Sequence, residues 1–452
     1  MAKKTTTFLL LNLFLVALST LTAAAVSPAV FVFGDSTVDV GNNNFLPSDA
    51  PKVNFPPWGI DYPGRTPTGR FSNGFNYADY VAKWGITTLS SLPMAKKTTT
   101  FLLLILFLAA LSTLTTAAVS PAVFVFGDST VDVGNNNFLP SDAPKVNFPP
   151  WGIDFPGRTP TGRFSNGFTY ADYIAKAVGL ATSPPPFLSL SNGNQMLRGV
   201  NFASGGAGIL YSSVKSSSGD VIAMATQIED YKQVAANLTE RLGKKSAVVF
   251  LDKSLFYLSV GSNDVLTLYS LLNPGNSTQK DEAVVLVLSK FKHQLERLYD
   301  LGARKFAVLG TGLLGCIPVV RVAVPSYGCY EDLNDFSLRF KTATKALLEE
   351  LSMSLKGFQY SFGDSYEMVT KIFSHPQEYG FTELKAACCG GGRLNAESDC
   401  LPNSTYCGNR GQYAFWDLSH PSQALSKTIT QLSLYGPPLF ANPVNIHHLV
   451  KS

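Results

Sequence analysis

Charged residues are scarce in this sequence: Asp, Glu, Lys and Arg make up 15% of its 452 residues, and the net charge is +4. Lys and Arg form no cluster with interleaved aromatic residues, which argues against nucleic-acid binding. The sequence also lacks an apolar run of the ~20 residues that a membrane span needs, so we expect no stable span. With 45% hydrophobic residues, the chain is typical of a globular protein with a sizeable core.

The first part of the chain occurs twice. Residues 1–83 return at 94–176 with six differences, and everything after about residue 180 occurs once. Each copy begins with two lysines, a short apolar stretch and small residues, which is the layout of a secretory signal peptide. We interpret the repeat as a partial tandem duplication, because repeat architectures need at least three units. A buried helix or a membrane anchor at 94–118 is the alternative interpretation.

This layout predicts the domain boundaries. We expect a signal peptide at 1–25, a duplicated partial segment without function at 26–93 and a second signal-like segment at 94–118. One domain should span 119–440, followed by a polar tail at 441–452. The protein would then be secreted and extracellular.

Cysteine is rare and confined to the last third of the chain. No C-x-x-C pair with a nearby His occurs, which argues against a zinc site at the cysteine clusters, and we expect neither metal nor cofactor. An even number of cysteines behind a secretion signal is typical of disulfides. We predict that Cys316 pairs with Cys329, and that the remaining four pair among themselves (Cys388, Cys389, Cys400 and Cys407).

Short apolar runs alternate with amphipathic patterns along the unique part of the chain. The runs at 122–126, 255–260 and 305–309 each precede a glycine and predict buried parallel strands. Apolar spacings of three and four predict helices at 281–298 and 333–355. The alternation favours an α/β fold, a three-layer α/β/α sandwich with a mainly parallel central sheet. Ligands bind beyond the carboxyl ends of such strands, where the sequences GDS at 127–129 and GSND at 261–264 lie.

A serine nucleophile needs a base, normally a histidine held by a carboxylate. The chain has five histidines, and four of them lie on a predicted helix, before a proline or in the predicted tail (His293, His375, His447 and His448). The fifth, His420, follows Asp417 by three residues, a spacing that places both side chains on one side of a turn. The absence of G-x-S-x-G argues against the usual α/β-hydrolase nucleophile turn.

Four segments together resemble the plant GDSL esterase/lipase family of the SGNH hydrolase superfamily. They are FVFGDSTVDVGNNNF around Ser129, GVNFASGGAG at 199–208, VGSND at 260–264 and FWDLSHP at 415–421. The first also occurs around Ser36, and further family-like stretches lie at 151–156 and 160–167. The resemblance covers about residues 121–439, and four segments in order make it specific. It implies the flavodoxin-like SGNH hydrolase sandwich.

The resemblance also implies the role of each site residue. Ser129 would attack an ester carbonyl, His420 would take its proton and Asp417 would orient the imidazole. The backbone N–H groups of Ser129 and Gly205 and the amide of Asn263 would bind the oxyanion. Gly205 and Asn263 could instead be turn residues, with Gly206 as the alternative donor.

Two further serines compete for the role of nucleophile. Ser36 has the same local motif as Ser129, but its copy ends before any counterpart of the other three segments. Ser365, in a second GDS, lacks the residues that follow the motif, and we predict an ordinary strand-to-helix junction there. We therefore favour Ser129.

The function that follows is a secreted serine ester hydrolase acting on acyl or lipid esters through an acyl-enzyme. A catalytically silent secreted glycoprotein with a binding or defence role, and an acyltransferase with the same triad, are the alternatives. N-x-S/T sequons predict glycosylation at Asn237, Asn276 and Asn403.

Overall fold

The computed structural model describes residues 32, 35–47, 50–80, 120–211 and 220–452. These residues belong to two compact units, Met1–Thr116 and Ala117–Ser452. The predicted signal segments at 1–25 and 94–118 lie outside the described residues. In the described ranges, no helix is long and apolar enough to cross a membrane.

The second unit alternates strands with helices. Its strands are β1 (Val123–Gly127), β2 (Gly199–Asn201), β3 (Leu255–Ser259), β4 (Lys305–Leu309), β5 (Gln359–Gly363), β6 (Glu383–Ala387), β7 (Cys389–Gly390), β8 (Thr405–Tyr406), β9 (Tyr413–Phe415) and β10 (Ala441–Pro443). Its helices are α1 (Tyr170–Ala177), α2 (Met224–Leu242), α3 (Lys244–Lys253), α4 (Ser262–Tyr269), α5 (Ser277–Asp300), α6 (Pro318–Val322), α7 (Glu331–Ser354), α8 (Ser365–Ser374), α9 (Gln423–Tyr435) and α10 (Ile446–Lys451). The predicted helices at 281–298 and 333–355 are confirmed as α5 and α7.

Six strands form the central sheet in the order β10-β5-β4-β3-β1-β2. Five of them are parallel, and β10 runs antiparallel to β5. In the register of the sheet, Gly127 lies opposite Ser259, which lies opposite Leu309. The carboxyl ends of β1, β3 and β4 therefore meet at one edge.

Helices cover both faces of this sheet. Every residue of β1, β3 and β4 is buried, which explains why these strands are continuous apolar runs. On one face Phe124 and Phe126 pack in a core with α2, α5 and α7, and on the other Val123 and Val125 pack with α1 and α9. The predicted three-layer α/β/α sandwich is confirmed.

The C-terminal residues correct one prediction. Residues 441–452, expected to be a polar tail, supply β10 and α10 to the domain. The apolar side of α10 is buried in the core through Ile446, Leu449 and Val450. The domain therefore extends to the end of the chain, and the boundary at residue 440 was wrong.

Three disulfides lie in the second unit. Cys316 pairs with Cys329, as predicted, and the other four cysteines pair among themselves as Cys388–Cys407 and Cys389–Cys400. The last two pairs brace the segment between β6 and β9, next to a small core that includes Trp151, Phe164 and Trp416.

The first unit repeats part of the local structure of the second. It contains short 3₁₀ turns at Asn42–Phe45 and Pro63–Arg65, and the second unit contains their counterparts at Asn135–Phe138 and Pro156–Arg158. The same sequence thus forms the same local turns in both units.

Candidate active site

The candidate site is a cavity of about 140 Å³ at the carboxyl edge of the sheet. Three of the predicted site residues line it: Ser129 after β1, Asn263 at the start of α4 and His420 after β9. The rest of the lining is largely apolar and includes Leu266, Leu309, Leu313, Ile317, Val369 and Ile429. The cavity therefore places reactive polar groups beside an apolar wall.

Ser129 lies in a tight turn directly after β1. Gly127 ends the strand with a φ of 143°, and a side chain there would overlap the carbonyl oxygen of Ser259. Only glycine fits so close an approach in this backbone conformation. Ser129 itself is 8% exposed. The turn therefore places Ser129 at the cavity, two residues after the end of β1.

Asp128 holds this turn together. Its Oδ1 accepts hydrogen bonds from the backbone N–H and the Oγ of Thr130, at 2.9 and 2.7 Å. The Thr130 Oγ also lies 2.9 Å from the Oγ of Ser259 on β3. Burial raises the pKa of Asp128 to about 6, and the Thr130 hydrogen bonds only partly offset that effect. The sequence alone suggested no role for Asp128, although the GDS motif contains it.

Asp417 binds His420 as the spacing predicted. The Nδ1 of His420 lies 2.9 and 2.8 Å from the two carboxylate oxygens. Asp417 Oδ1 also accepts the backbone N–H groups of Ser419, at 3.0 Å, and of His420, at 2.6 Å. Because an ionised carboxylate only accepts hydrogen bonds, Nδ1 carries a proton and Nε2 is left as the basic nitrogen.

The two groups also shift each other's pKa. Burial by itself raises the pKa of Asp417, but the charge and hydrogen bonds of His420 outweigh it and lower the pKa below the ordinary 3.8. Burial by itself lowers the pKa of His420, but the charge and hydrogen bond of Asp417, with the charge of Asp128, raise it above the ordinary 6.5. At a given pH, His420 is therefore more often protonated than a free histidine would be.

Ser129 and His420 share the cavity without a hydrogen bond. Among the described residues, neither the Oγ of Ser129 nor the Nε2 of His420 has a hydrogen-bond partner. A contact between nucleophile and base is often long before substrate binds and tightens in the complex. Proton transfer from Ser129 to His420 thus stays a prediction.

Asn263 is oriented by the chain that precedes α2. One N–H of its amide donates to the carbonyl oxygen of Ala207 at 2.9 Å. An amide nitrogen carries two protons, so the second remains for a group in the cavity. Asn263 is the second residue of α4 and lines the cavity. Its role as an oxyanion donor stays a prediction.

Gly205 does not line the cavity. Its N–H donates to Oδ2 of Asp132 at 3.0 Å, so this donor already has a partner inside the protein. Asp132 is fully buried, and burial raises its pKa to about 6 although four backbone N–H groups bind it. Asp132 orders the loop after the serine, since it also binds Gly134 and Asn135. The structure gives no support to Gly205 as an oxyanion donor.

Ser36 lies in a different setting. It is exposed, and the cavity beside it is lined by residues of the first unit, from Val32 to Asn43, with no histidine among them. Ser365 lines the main cavity, but it begins α8 directly after β5, which is the predicted strand-to-helix junction. Ser129 shares the cavity with Asn263 and His420, and Ser365 differs from it in lying at this ordinary junction.

The predicted glycosylation sites differ in exposure. Asn403 lies exposed on the turn between Cys400 and Cys407. Asn276 caps α5 by accepting the N–H of Gln279 at 3.0 Å, and Asn237 accepts from Arg241 at 2.8 Å. All three remain predictions. In the described part of the chain, no group of three or more His, Cys, Asp or Glu side chains could hold a metal ion.

Residues 123–432 match the family described as GDSL-like Lipase/Acylhydrolase. The chain is 37% identical over 342 residues to GDSL esterase/lipase At5g55050 of Arabidopsis thaliana, a match that covers 74% of this chain and 90% of the relative. It is 38% identical over 335 residues to GDSL esterase/lipase At1g71250 of the same plant, covering 73% and 88%. The chain belongs to the family of GDSL-like lipases and acylhydrolases.

Proposed function

We propose that the protein is a serine ester hydrolase that acts through an acyl-enzyme on Ser129. The observation that supports this proposal most is the common cavity of Ser129, Asn263 and His420, with Asp417 bound to the far side of the imidazole. The names of the plant relatives, esterase/lipase, agree with an ester substrate.

The geometry suggests the following sequence of steps. The Oγ of Ser129 attacks the ester carbonyl carbon while Nε2 of His420 takes its proton. The Asn263 amide and the Ser129 N–H donate to the oxyanion. The ester C–O bond then breaks, and Nε2 returns the proton to the leaving alcohol. Water attacks the acyl-enzyme in the same way, which releases the carboxylic acid and restores the Ser129 hydroxyl.

The apolar wall suits the acyl part of the ester. Leu309, Ile317, Val369 and Ile429 face the same cavity as the serine. Transfer of a hydrocarbon chain from water to such a wall is favourable by about 0.8 kcal/mol per CH₂ group. An acyl chain on this wall would therefore hold the ester carbonyl near Ser129.

An assay with p-nitrophenyl butanoate tests the proposal on the full chain. We expect activity in the wild type and in Ser36→Ala, and none in Ser129→Ala or His420→Ala. A fluorophosphonate probe should label the wild type at Ser129. Labelling without hydrolysis, rescued by an added alcohol acceptor, would indicate the acyltransferase, and no labelling at all would indicate the silent glycoprotein.

Secretion is a separate part of the proposal. It rests on the two signal-like segments in the sequence and on three disulfides, which persist in oxidising compartments. N-terminal sequencing of protein from the culture medium of an expressing plant cell tests it. A start near residue 119 is expected, and retention of the protein inside the cell would contradict secretion.

A further inference from the structure

Two aromatic rings pack on the imidazole of His420. The ring of Phe164 lies 5.1 Å from it between centroids, with the two planes tilted by 38°. The ring of Trp151 lies 6.2 Å away and meets it edge to face, at 76°. We refer to Phe164 and Trp151 as the aromatic wall. Both residues lie in the family-like stretches at 151–156 and 160–167, and neither takes part in the reaction steps proposed above.

The aromatic wall is rigidly supported. Phe164 is 5% exposed and Trp151 is 4% exposed, and the centroids of their rings are 6.1 Å apart. The indole N–H of Trp151 donates to the carbonyl oxygen of Cys400 at 3.0 Å, so the wall is tied to the Cys389–Cys400 disulfide. Trp416, one residue before Asp417, packs on Trp151 at 6.1 Å. The imidazole of His420 therefore packs against buried side chains that a hydrogen bond and a disulfide hold in place.

Gly205 makes room for this arrangement. A Cβ at residue 205 would overlap Cε2 and Cζ of Phe164. The backbone φ of Gly205 is not in the left-handed region, so an alanine there would meet no conformational strain. The main obstacle to a side chain at 205 is therefore the Phe164 ring, and Nδ2 of Asn136, 3.0 Å from the Cβ position, is the next nearest atom. The glycine that the family resemblance assigned to the oxyanion hole has a steric reason to be glycine.

We propose that Phe164 is a positioning residue for His420, and that Gly205 lacks a side chain so that the Phe164 ring can reach the imidazole. This inference rests on the proposed function. Asp417 fixes only one edge of the imidazole, through Nδ1. A ring against the face fixes the plane of the imidazole, and hence the direction in which Nε2 points into the cavity.

The first test compares Phe164→Leu with two matched variants. Phe71→Leu makes the same change at the equivalent position of the first unit. Phe291→Leu makes it on α5, in the core, where it lowers stability without touching the site. We expect kcat to fall about 10- to 100-fold in Phe164→Leu, the cost of a base displaced by about 1 Å, with little change in KM. Both controls should keep the wild-type kcat at 20 °C.

The pH profile gives a readout that a purely structural role would not move. The charged groups that act on His420 are Asp417 and Asp128, and both remain in Phe164→Leu. The His420 side chain is 17% exposed, and loss of the ring exposes it further, which weakens the burial that opposes its charge. The acid limb of kcat/KM should therefore move to higher pH. An unchanged limb together with a wild-type kcat would overturn the proposal.

A double-mutant cycle tests the part played by Gly205. Gly205→Ala keeps its N–H, so any loss of kcat must come from the added methyl group. We expect that loss to be about 10-fold or more in the wild type and to shrink strongly in the Phe164→Leu background, because the displaced ring is no longer there. Equal losses in both backgrounds would overturn this part.

Failure of the inference can be distinguished from failure of the proposed function. If the wild type cleaves the ester and His420→Ala does not, the proposed function stands, and Phe164→Leu then decides the positioning role. If the wild type itself cleaves no ester and takes no fluorophosphonate label, the proposed function fails first.

Discussion

Replacement of Asp417 by asparagine is a sharp test of the site, because the hydrogen bonds of Asp417 determine which atom of the new side chain faces Nδ1 of His420. The carboxylate accepts three N–H groups: the backbone N–H groups of Ser419 and His420, both on Oδ1, and Nδ1 of His420. Asparagine has one acceptor oxygen. If that oxygen keeps the two backbone bonds, the NH₂ group faces Nδ1 and donates to it. The imidazole must then carry its proton on Nε2, where it cannot accept one from Ser129.

The expected loss is therefore large, although the shape of the site is preserved. The corresponding change in a serine-protease triad lowers kcat about 10⁴-fold by forcing the wrong tautomer. At 1.36 kcal/mol per tenfold change, this corresponds to about 5.4 kcal/mol of lost transition-state stabilisation. We expect the same order of loss in kcat for p-nitrophenyl butanoate.

The control for this variant is Asp399→Asn, which removes an exposed carboxylate outside the cavity. It should keep the wild-type kcat, and circular dichroism should show that both variants are folded. A loss of less than tenfold in folded Asp417→Asn, with His420→Ala still inactive, would refute the orienting role of Asp417.

Four more predictions follow from the same contacts. Ester cleavage should fall at low pH with an apparent pKa above 6.5, because the Asp417 carboxylate favours imidazolium, which cannot accept a proton; a midpoint below 6.5 would contradict this. Arg163→Ala breaks a buried ion pair with Asp172 and should lower the free energy of unfolding of the second unit by about 3–5 kcal/mol in urea titrations, whereas Arg70→Ala in the first unit should not. The cavity of about 140 Å³ is close to the ~150 Å³ that holds one benzene molecule in an engineered core. The kcat/KM for p-nitrophenyl butanoate should therefore exceed that for p-nitrophenyl palmitate by about tenfold or more. The reverse order would show that the apolar lining of the cavity moves apart to admit a long acyl chain. Dithiothreitol should lower kcat, because the Cys389–Cys400 disulfide supports Trp151; full activity of the reduced protein, shown by thiol titration, would refute that support.

Local sequence patterns were sufficient to predict the layers of the fold. Apolar runs in β1, β3 and β4 are buried on both faces, so their sequences are continuous and easy to identify. The edge strand β10 was missed because it is short and contains Pro443, a residue that only an edge strand tolerates. Its pairing with β5 comes from a chain segment about 80 residues away, which no local pattern reveals.

The same limit applies to the site. Asp417 and His420 are three residues apart, so their contact could be inferred from spacing. The contact of His420 with Phe164 joins residues more than 250 positions apart, and only the folded chain brings the two rings together. A phenylalanine and a glycine in family-like stretches were the available signal, but neither carries a chemical group that suggests a role.

The two copies of the repeated sequence separate local from long-range requirements. Asp39 binds the N–H groups of Gly41 and Asn42, just as Asp132 binds those of the second copy. Asp132 also binds Gly205, and the second copy is joined to β2, where Asn135 donates to the carbonyl oxygen of Asn201. Residues 39–42 and 132–135 therefore form the same turn. His420 and Asn263, which line the cavity with Ser129, come from segments that occur once, after β9 and after β3. The aromatic wall lies within the repeated sequence, and its counterparts in the first unit, Trp58 and Phe71, make the same ring contact.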